Sequence, residues 1–143
     1  MMKTTKLVVD YEYDFEFFAI ISSVKAHKLA WSINKVLSIN LCKQEDIKLD
    51  FIKDWKLVIT NYIYEKEYSV FRLLKNRSCE SENLPKPFLV PELKEYDYFI
   101  HMSGEVMLFE TAELFEKLKE LQIVQYVKKI EVNKLKSKEN LIF

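Results

Sequence analysis

The stretch VPELKEYDYFIHMS, at residues 90–103, decides how this chain folds. Its first nine residues contain a proline, three carboxylates and two phenols, and an apolar strand pattern continues from them. Pro91 lacks a backbone N–H and favours extended backbone before it, so the beginning of the stretch predicts a turn. Residues 96–103 predict a strand that enters the core. The stretch therefore predicts the joint between a connector and a sheet.

The connector predicted before this joint spans residues 76–91 and contains all three prolines of the chain. Because proline cannot donate to a strand ladder, we expect no core element there. The connector is too short to mark a domain boundary, so residues 1–143 are predicted to form a single globular domain. Residues 133–143 form a Lys-rich C-terminal tail. Its apolar residues 141–143 should pack either on this domain or on a second chain.

Continuous or alternating apolar patterns predict the strands, and apolar residues at helical spacing predict the helices. One helix is predicted at residues 24–39, with the hydroxyl of Ser22 or Ser23 as its cap. The hydroxyl of Thr111 is predicted to cap a second helix. Strands are predicted at residues 6–10, 17–22, 47–51, 57–64, 68–75, 96–103 and 124–132.

The order of these elements is ββαβββ, then the proline-rich connector, then βαβ. Two strand–helix–strand units therefore flank a meander. Short connections between successive strands favour antiparallel neighbours. Packing both helices on one sheet would bury both apolar stripes. The predicted fold is α+β, with a mixed or mainly antiparallel sheet and two helices packed on it.

The chain has a single glycine, Gly104, and this excludes several kinds of chemistry. A P-loop needs two glycines and a dinucleotide fingerprint needs three, because the backbone must approach phosphate closely. A GxSxG nucleophile elbow needs two. The formal net charge is 0, and only two of the 22 basic residues are arginine. Both observations argue against nucleic acid as a partner.

The two cysteines, Cys42 and Cys79, follow no secretory signal, which predicts reduced thiols in a cytoplasmic protein. The longest apolar run, at residues 17–21, is five residues long. A membrane span needs about 20. Neither cysteine has the Cys/His spacing of a zinc site. We therefore predict no metal, no cofactor and no membrane interaction.

The motif Val90-Pro91-Glu92-x-x-x-Tyr96-Asp97-Tyr98 resembles the signature of a bacterial family named IPExxxVDY after its motif. Val90 and Tyr96 stand where the name has Ile and Val, and the other four positions are intact. The stretch Ser103-Gly104-Glu105 and the ending at residues 135–143 also look similar. The resemblance covers nearly the whole chain. It implies a compact α+β bacterial protein with no assigned biochemical role, and it brings no catalytic residues.

The candidate functional or structural motif consists of Pro91, Glu92, Asp97, Tyr98 and His101. One interpretation makes Glu92 and Asp97 metal ligands or an acid–base pair. The favoured interpretation is structural: Glu92 bonds a free backbone amide near Pro91, and Asp97 fixes the start of a strand. Four residues of strand span about 13 Å. Asp97 and His101 therefore cannot form a direct catalytic dyad on a regular strand, which needs contact at about 3 Å.

The composition and the motifs favour a non-enzymatic interaction or structural module that self-associates or binds a protein partner. The support is the aromatic content of 14% and the apolar C-terminus, both suited to interfaces. The alternative is a small-molecule-binding protein or enzyme of unfamiliar type, with a site near Glu92, Asp97 and Tyr98. A third hypothesis rests on residues 117–138, where seven lysines against two glutamates would bind a polyanion.

Overall fold

The computed structural model describes residues 14–50, 56–79 and 87–143. The strand predicted at residues 6–10 and the middle of the connector, residues 80–86, lie outside the described residues. In chain order the elements are β1 (Glu16–Ile21), α1 (Ala26–Leu37), β2 (Cys42–Lys43), β3 (Ile47–Asp50), β4 (Lys56–Ile59), β5 (Asn61–Lys66), β6 (Ser69–Lys75), β7 (Tyr98–Gly104), α2 (Thr111–Lys119) and β8 (Tyr126–Lys129). Short 3-10 turns occupy Pro91–Leu93, Val132–Lys134 and Lys138–Leu141.

Six of the strands form one sheet in the order β2-β5-β6-β7-β1-β8, and β3 pairs with β4 in a separate two-stranded sheet. Every strand pairing in the described part of the chain is antiparallel. The α+β prediction is therefore confirmed, and of its two forms the antiparallel one is present. Strand β1 lies between β7 and β8, both of which come from the second half of the sequence.

The six-stranded sheet is covered on both faces. Phe18 and Ile20 of β1 point to the face that packs on α1 and α2, which we call the helix face. Phe17 and Ala19 point to the opposite face, which packs on β4 and on residues 130–141, and which we call the tail face. Because a strand points successive side chains to opposite faces, only a strand covered on both sides is apolar at both parities. This explains the continuous apolar run at the centre of β1.

Residues 132–141 fold back as two 3-10 turns and cover the tail face. Leu141 is fully buried, so the apolar end of the predicted tail packs on its own domain at this position. Ile142 and Phe143 are each 42% exposed. The segment thus acts as part of the second layer of the fold.

The single strand predicted at residues 57–64 is wrong, because the structure has two strands there. Strand β4 ends at Ile59 and β5 begins at Asn61, and they belong to different sheets. At the intervening Thr60 the chain leaves its pairing with β3, and the Thr60 carbonyl accepts from the amide of Lys75. A corner inside a continuous β-branched run has no local sequence signal, since both strands share the same composition.

Both predicted helix caps are also wrong. The N-cap positions are Lys25 and Glu110, and neither helix has a side-chain cap. The Ser22 hydroxyl instead donates to the carbonyl of Ile123 at 2.6 Å, and the Thr111 hydroxyl donates to the carboxylate of Glu16. Each hydroxyl therefore bonds a segment that is distant in sequence, and not a free amide at the start of its helix.

Gly104 closes strand β7 opposite Ser69, where β6 begins. Its φ is 122°, in the region that side chains of L-residues rarely adopt. A Cβ at this position would lie directly on the backbone of Tyr68 and Ser69. Both the backbone conformation and the close approach of the two strands therefore require glycine.

Candidate functional site

Glu92 lies in the 3-10 turn Pro91–Leu93 and binds the C-terminal segment. Its carboxylate accepts hydrogen bonds from the backbone amides of Lys136 and Ser137. Burial raises the pKa of this carboxyl, but bonds from its own amide and from residues 136 and 137 outweigh burial, so the pKa of Glu92 is lowered. The carboxylate thus anchors the segment that covers the tail face.

Asn76 organises the whole turn and was not singled out by the sequence. Its side chain is fully buried. Its Nδ2 donates to the carbonyls of Leu93 and Tyr96, each at 3.0 Å, and its Oδ1 accepts from the amide of Val90. The only signal in the sequence is a polar residue directly after a strand, which is equally typical of an exposed loop.

Asp97 and Tyr98 bind the connection between β1 and α1. The Asp97 carboxylate accepts from the amide of Ser22 at 2.8 Å, and the Tyr98 hydroxyl donates to the carbonyl of Val24 at 2.6 Å. Burial, with smaller contributions from Asp97 and Tyr62, raises the pKa of Tyr98 to about 12. The phenol therefore stays protonated and acts as a hydrogen-bond donor to a backbone carbonyl.

His101 lies on the tail face and is only 4% exposed. Its ring stacks on Phe15 at 4.0 Å between centroids, and the ring of Phe143 meets it edge-on at 5.1 Å. Its Nε2 lies 3.0 Å from the carbonyl of Leu141, so the neutral ring carries its proton on Nε2. Nδ1 has no hydrogen-bond partner among the described residues. Burial lowers the pKa of His101 to about 4, the Leu141 carbonyl opposes this shift, and nearby Arg72 adds to it.

We expect the titration of His101 to make the protein less stable in acid. The unfolded histidine has a pKa of 6.5 and the folded one about 4. Between these values the unfolded chain binds a proton that the folded chain does not, so the free energy of unfolding falls as the pH drops from 6.5 to 4. The loss is about 3 kcal/mol. Urea denaturation at a series of pH values measures it.

The variant His101→Phe retains an aromatic ring and removes the titration. The difference in unfolding free energy between the wild type and this variant should change by about 3 kcal/mol from pH 7 to pH 4, because the carboxylates titrate alike in both. His27→Gln, at an exposed position of α1, is the matched control and should follow the wild type. Parallel curves for the wild type and His101→Phe would contradict the prediction.

The predicted motif residues are thus bonded to different parts of the molecule. Glu92 binds the C-terminal segment, Asp97 and Tyr98 bind the chain ahead of α1, and His101 binds Leu141. Each of these four side chains has a hydrogen-bond partner within the molecule. The residues of this motif do not converge on one reaction centre.

An open groove of about 770 Å³ lies between α2 and strand β8. Its floor is apolar and consists of Phe18, Phe115, Val124 and Val127. Phe18 is fully buried at the base, whereas Phe115 on α2 is only half-buried. A groove with such a floor can bind apolar side chains.

Strand β8 forms one wall of this groove and is also an edge of the sheet. It pairs with β1 on one side, and no strand in the described part of the chain pairs with its other side. Lys119 and Lys129 stand at the rim, and each has an acidic neighbour: Glu116 at 3.7 Å and Glu16 at 3.2 Å. Lys128 has no ion-pair partner among the described residues.

Within residues 14–50, 56–79 and 87–143, no three His, Cys, Asp or Glu side chains converge as metal ligands would. Cys42 and Cys79 are both free and exposed. Neither described helix has the length and apolar character that crossing a membrane requires. No protein-family model matches the chain, and no curated protein matches it in sequence. The resemblance to the IPExxxVDY family rests on the motif residues and stays a prediction.

Proposed function

We propose that the chain is a non-enzymatic interaction module that associates with a second copy of itself through the edge of β8 and the adjoining groove. The observation that carries this proposal is the coincidence of an unpaired strand edge with an apolar groove on the same side. An unpaired edge offers backbone donors and acceptors to an added strand, and a groove beside it accepts the side chains of that strand.

The backbone of β8 offers these groups in a definite pattern. The amide of Ile130 donates to the carbonyl of Phe17 in β1. Along an antiparallel strand, successive residues direct their backbone groups alternately to one neighbour and to the other. The backbone groups of Lys128, two residues before Ile130, therefore also face β1. Those of Val127, the residue before Lys128, face the open edge. A second strand there forms its first pair of bonds with Val127.

The lysines of β8 select one register for a symmetric pair. Lysine on an edge strand ordinarily discourages strand addition. In a two-fold register centred on Lys128, two ammonium groups lie opposite each other, which is unfavourable. In the register centred on Val127, Val127 meets its own copy and Tyr126 meets Lys128 of the second copy. In this register no two lysines of β8 lie directly opposite each other, so the like charges are separated.

Tyr126→Lys tests both the interface and its register. The change places an ammonium opposite Lys128 of the second copy, twice in each dimer because of the symmetry. We expect the dissociation constant to rise at least about ten-fold, which is about 1.4 kcal/mol. Sedimentation equilibrium from about 1 to 100 μM, a range spanning about 3 kcal/mol of association free energy, measures it. The wild type should show a monomer–dimer equilibrium in this range.

The double variant Tyr126→Lys/Lys128→Glu should restore association, since each introduced lysine then meets a glutamate across the symmetric pair. Tyr68→Lys is the matched control, because Tyr68 is similarly exposed, at 54% against 50% for Tyr126, and lies in the turn between β5 and β6. Circular dichroism verifies the fold of each variant. A wild type that sediments as a monomer throughout the range removes the proposal, and a double variant no better than Tyr126→Lys removes the register.

We also propose a cytoplasmic location and membership of the IPExxxVDY family. Two exposed free thiols suit a reducing compartment. The intact motif positions Pro91, Glu92, Asp97 and Tyr98 support the family assignment, because the hydrogen bonds of the last three define the joint that the motif marks in the sequence.

A further inference from the structure

A second cavity, of about 410 Å³, lies beside the motif, where β1 and β6 end and β7 begins. The connection between β1 and α1, the end of β6, and the turn after Pro91–Leu93 form its walls. Phe88 and Tyr96, both half-buried, give it an aromatic side. Its volume falls within the range of about 300–1,000 Å³ that is typical of small-molecule sites.

The charge of this cavity is strongly one-sided. Four cationic side chains line it, Lys25, Lys75, Arg77 and Lys94, against the single carboxylate of Asp97. That carboxylate already accepts a hydrogen bond from the amide of Ser22. The first turn of α1 contains no acidic residue to offset the cations. The described lining therefore concentrates positive charge in one place, although the formal net charge of the chain is 0.

None of the four cations has an ion-pair partner among the described residues. This distinguishes them from Lys43, Lys119, Lys129 and Lys134, each of which lies within 4 Å of a carboxylate. Like charges that converge without partners repel one another. An anion in the cavity would relieve that repulsion, and it would bind more strongly in a recess than on a flat surface because the low-dielectric walls focus the field.

Arg77 is held in place by the fold. Its backbone forms an isolated antiparallel bridge with Phe88, and its guanidinium lies 5.5 Å from the centre of the Phe88 ring. Stacking on an aromatic face leaves the edge of the guanidinium free for the two parallel hydrogen bonds that phosphate and carboxylate accept. Lys94, on the neighbouring turn, supplies a second and more adaptable charge.

We propose that this cavity binds a small organic anion through phosphate or carboxylate groups, with Arg77 and Lys94 as the principal contacts. The aromatic side chains Phe88 and Tyr96 would contact the uncharged part of the ligand. The size of the recess fits a small molecule, and the scarcity of arginine in the chain argues against a nucleic acid chain there. The site does not depend on the association through β8.

Titration with pyrophosphate and with citrate, at constant ionic strength, tests the site on the full chain. Backbone amide resonances should shift in a saturable way around residues 22–25, 77 and 94. Tighter binding of pyrophosphate identifies a phosphate ligand, and tighter binding of citrate identifies a carboxylate ligand. Arg77→Gln/Lys94→Gln should weaken the better probe at least about ten-fold, which is about 1.4 kcal/mol.

The matched control is Lys48→Gln/Lys66→Gln, which removes the same charge from exposed positions outside the lining of the cavity and away from β8. It should bind the probe like the wild type. Thermal melts without ligand establish that each variant is folded. Three outcomes would overturn the proposal: no saturable binding of either probe, equal binding by the wild type and Arg77→Gln/Lys94→Gln, or equal weakening by both double variants.

Discussion

Asn76→Ala should lower the free energy of unfolding by about 4 kcal/mol or more. The substitution leaves the N–H of Val90 and the carbonyl of Tyr96 without their side-chain partner, and the carbonyl of Leu93 keeps only its bond from the amide of Tyr96. An unsatisfied buried polar group costs about 1–3 kcal/mol. The costs at Val90 and Tyr96 arise together, because alanine offers neither a donor nor an acceptor at this position. Equilibrium denaturation in urea measures the change.

Asn133→Ala is the control for this prediction, since Asn133 is exposed and its side chain makes no hydrogen bond recorded in the structure. It should change the stability by less than about 0.5 kcal/mol. The Asn76 variant should also lose amide protection in the turn at residues 90–97, which hydrogen exchange detects. A loss below about 1.5 kcal/mol, the cost of a single buried group, would show that Asn76 does not organise the turn.

Gly104→Ala should also lower the free energy of unfolding by about 4 kcal/mol. A side chain at φ of 122° is strained, at a cost of about 1–3 kcal/mol. The new methyl group also meets the carbonyl of Tyr68 and the Cα of Ser69, which belong to the backbone and cannot rotate away. Moving the strands apart to relieve this overlap costs about 1–3 kcal/mol more. Thermal and urea denaturation measure the sum.

Ser103→Ala, one residue earlier in β7, tests whether the effect is specific to the glycine. Ser103 is half-buried and its hydroxyl makes no hydrogen bond recorded in the structure, so a change within about 0.5 kcal/mol is expected. The prediction fails if Gly104→Ala is as stable as Ser103→Ala. The single glycine of the chain is then dispensable for the fold.

The sequence predicts the helices and strands of this fold well wherever the spacing of apolar side chains indicates which sides of the element are buried. The run of β1 is apolar at both parities because Phe17 and Phe18 face two different buried layers. Helix α1 has a clear stripe because Leu29, Ile33 and Leu37 contact the sheet on one side only. In both cases the burial pattern is local in sequence, so it can be recognised without knowing the partners.

The features that the sequence does not predict depend on partners that are distant along the chain. Ser22 has the composition of a cap, but its hydroxyl binds Ile123, about a hundred residues later. Thr60 lies in a continuous strand-like run, and the corner there arises because β4 and β5 have different neighbours. A pattern of apolar and polar side chains indicates which residues prefer burial, but it does not indicate which segment of the chain packs next to them.

The candidate site likewise has features that depend on partners distant along the chain, which the sequence does not predict. The structural interpretation expects Glu92 to bond an amide in the Pro91 turn, whereas its carboxylate accepts from the amides of Lys136 and Ser137, 44 and 45 residues later. The carboxylate of Asp97 likewise accepts from an amide distant in sequence, that of Ser22. The groove between α2 and β8 was not anticipated, because a groove depends on which strand lies at the edge of the sheet. The adjacent lysines Lys128 and Lys129 were an available signal, since edge strands are often marked by lysine.

The position of β1 between β7 and β8 also determines the order in which the protein can be assembled. Phe18 of β1 pairs with Ile100 on one side and with Lys129 on the other. During synthesis β1 therefore has neither of these two partners until most of the chain has left the ribosome. The hairpin of β5 and β6, joined by a two-residue turn, can form early, whereas closure around β1 comes late. Until that closure the aromatic run of β1 is exposed, so the nascent chain passes through a period in which it is most vulnerable to aggregation.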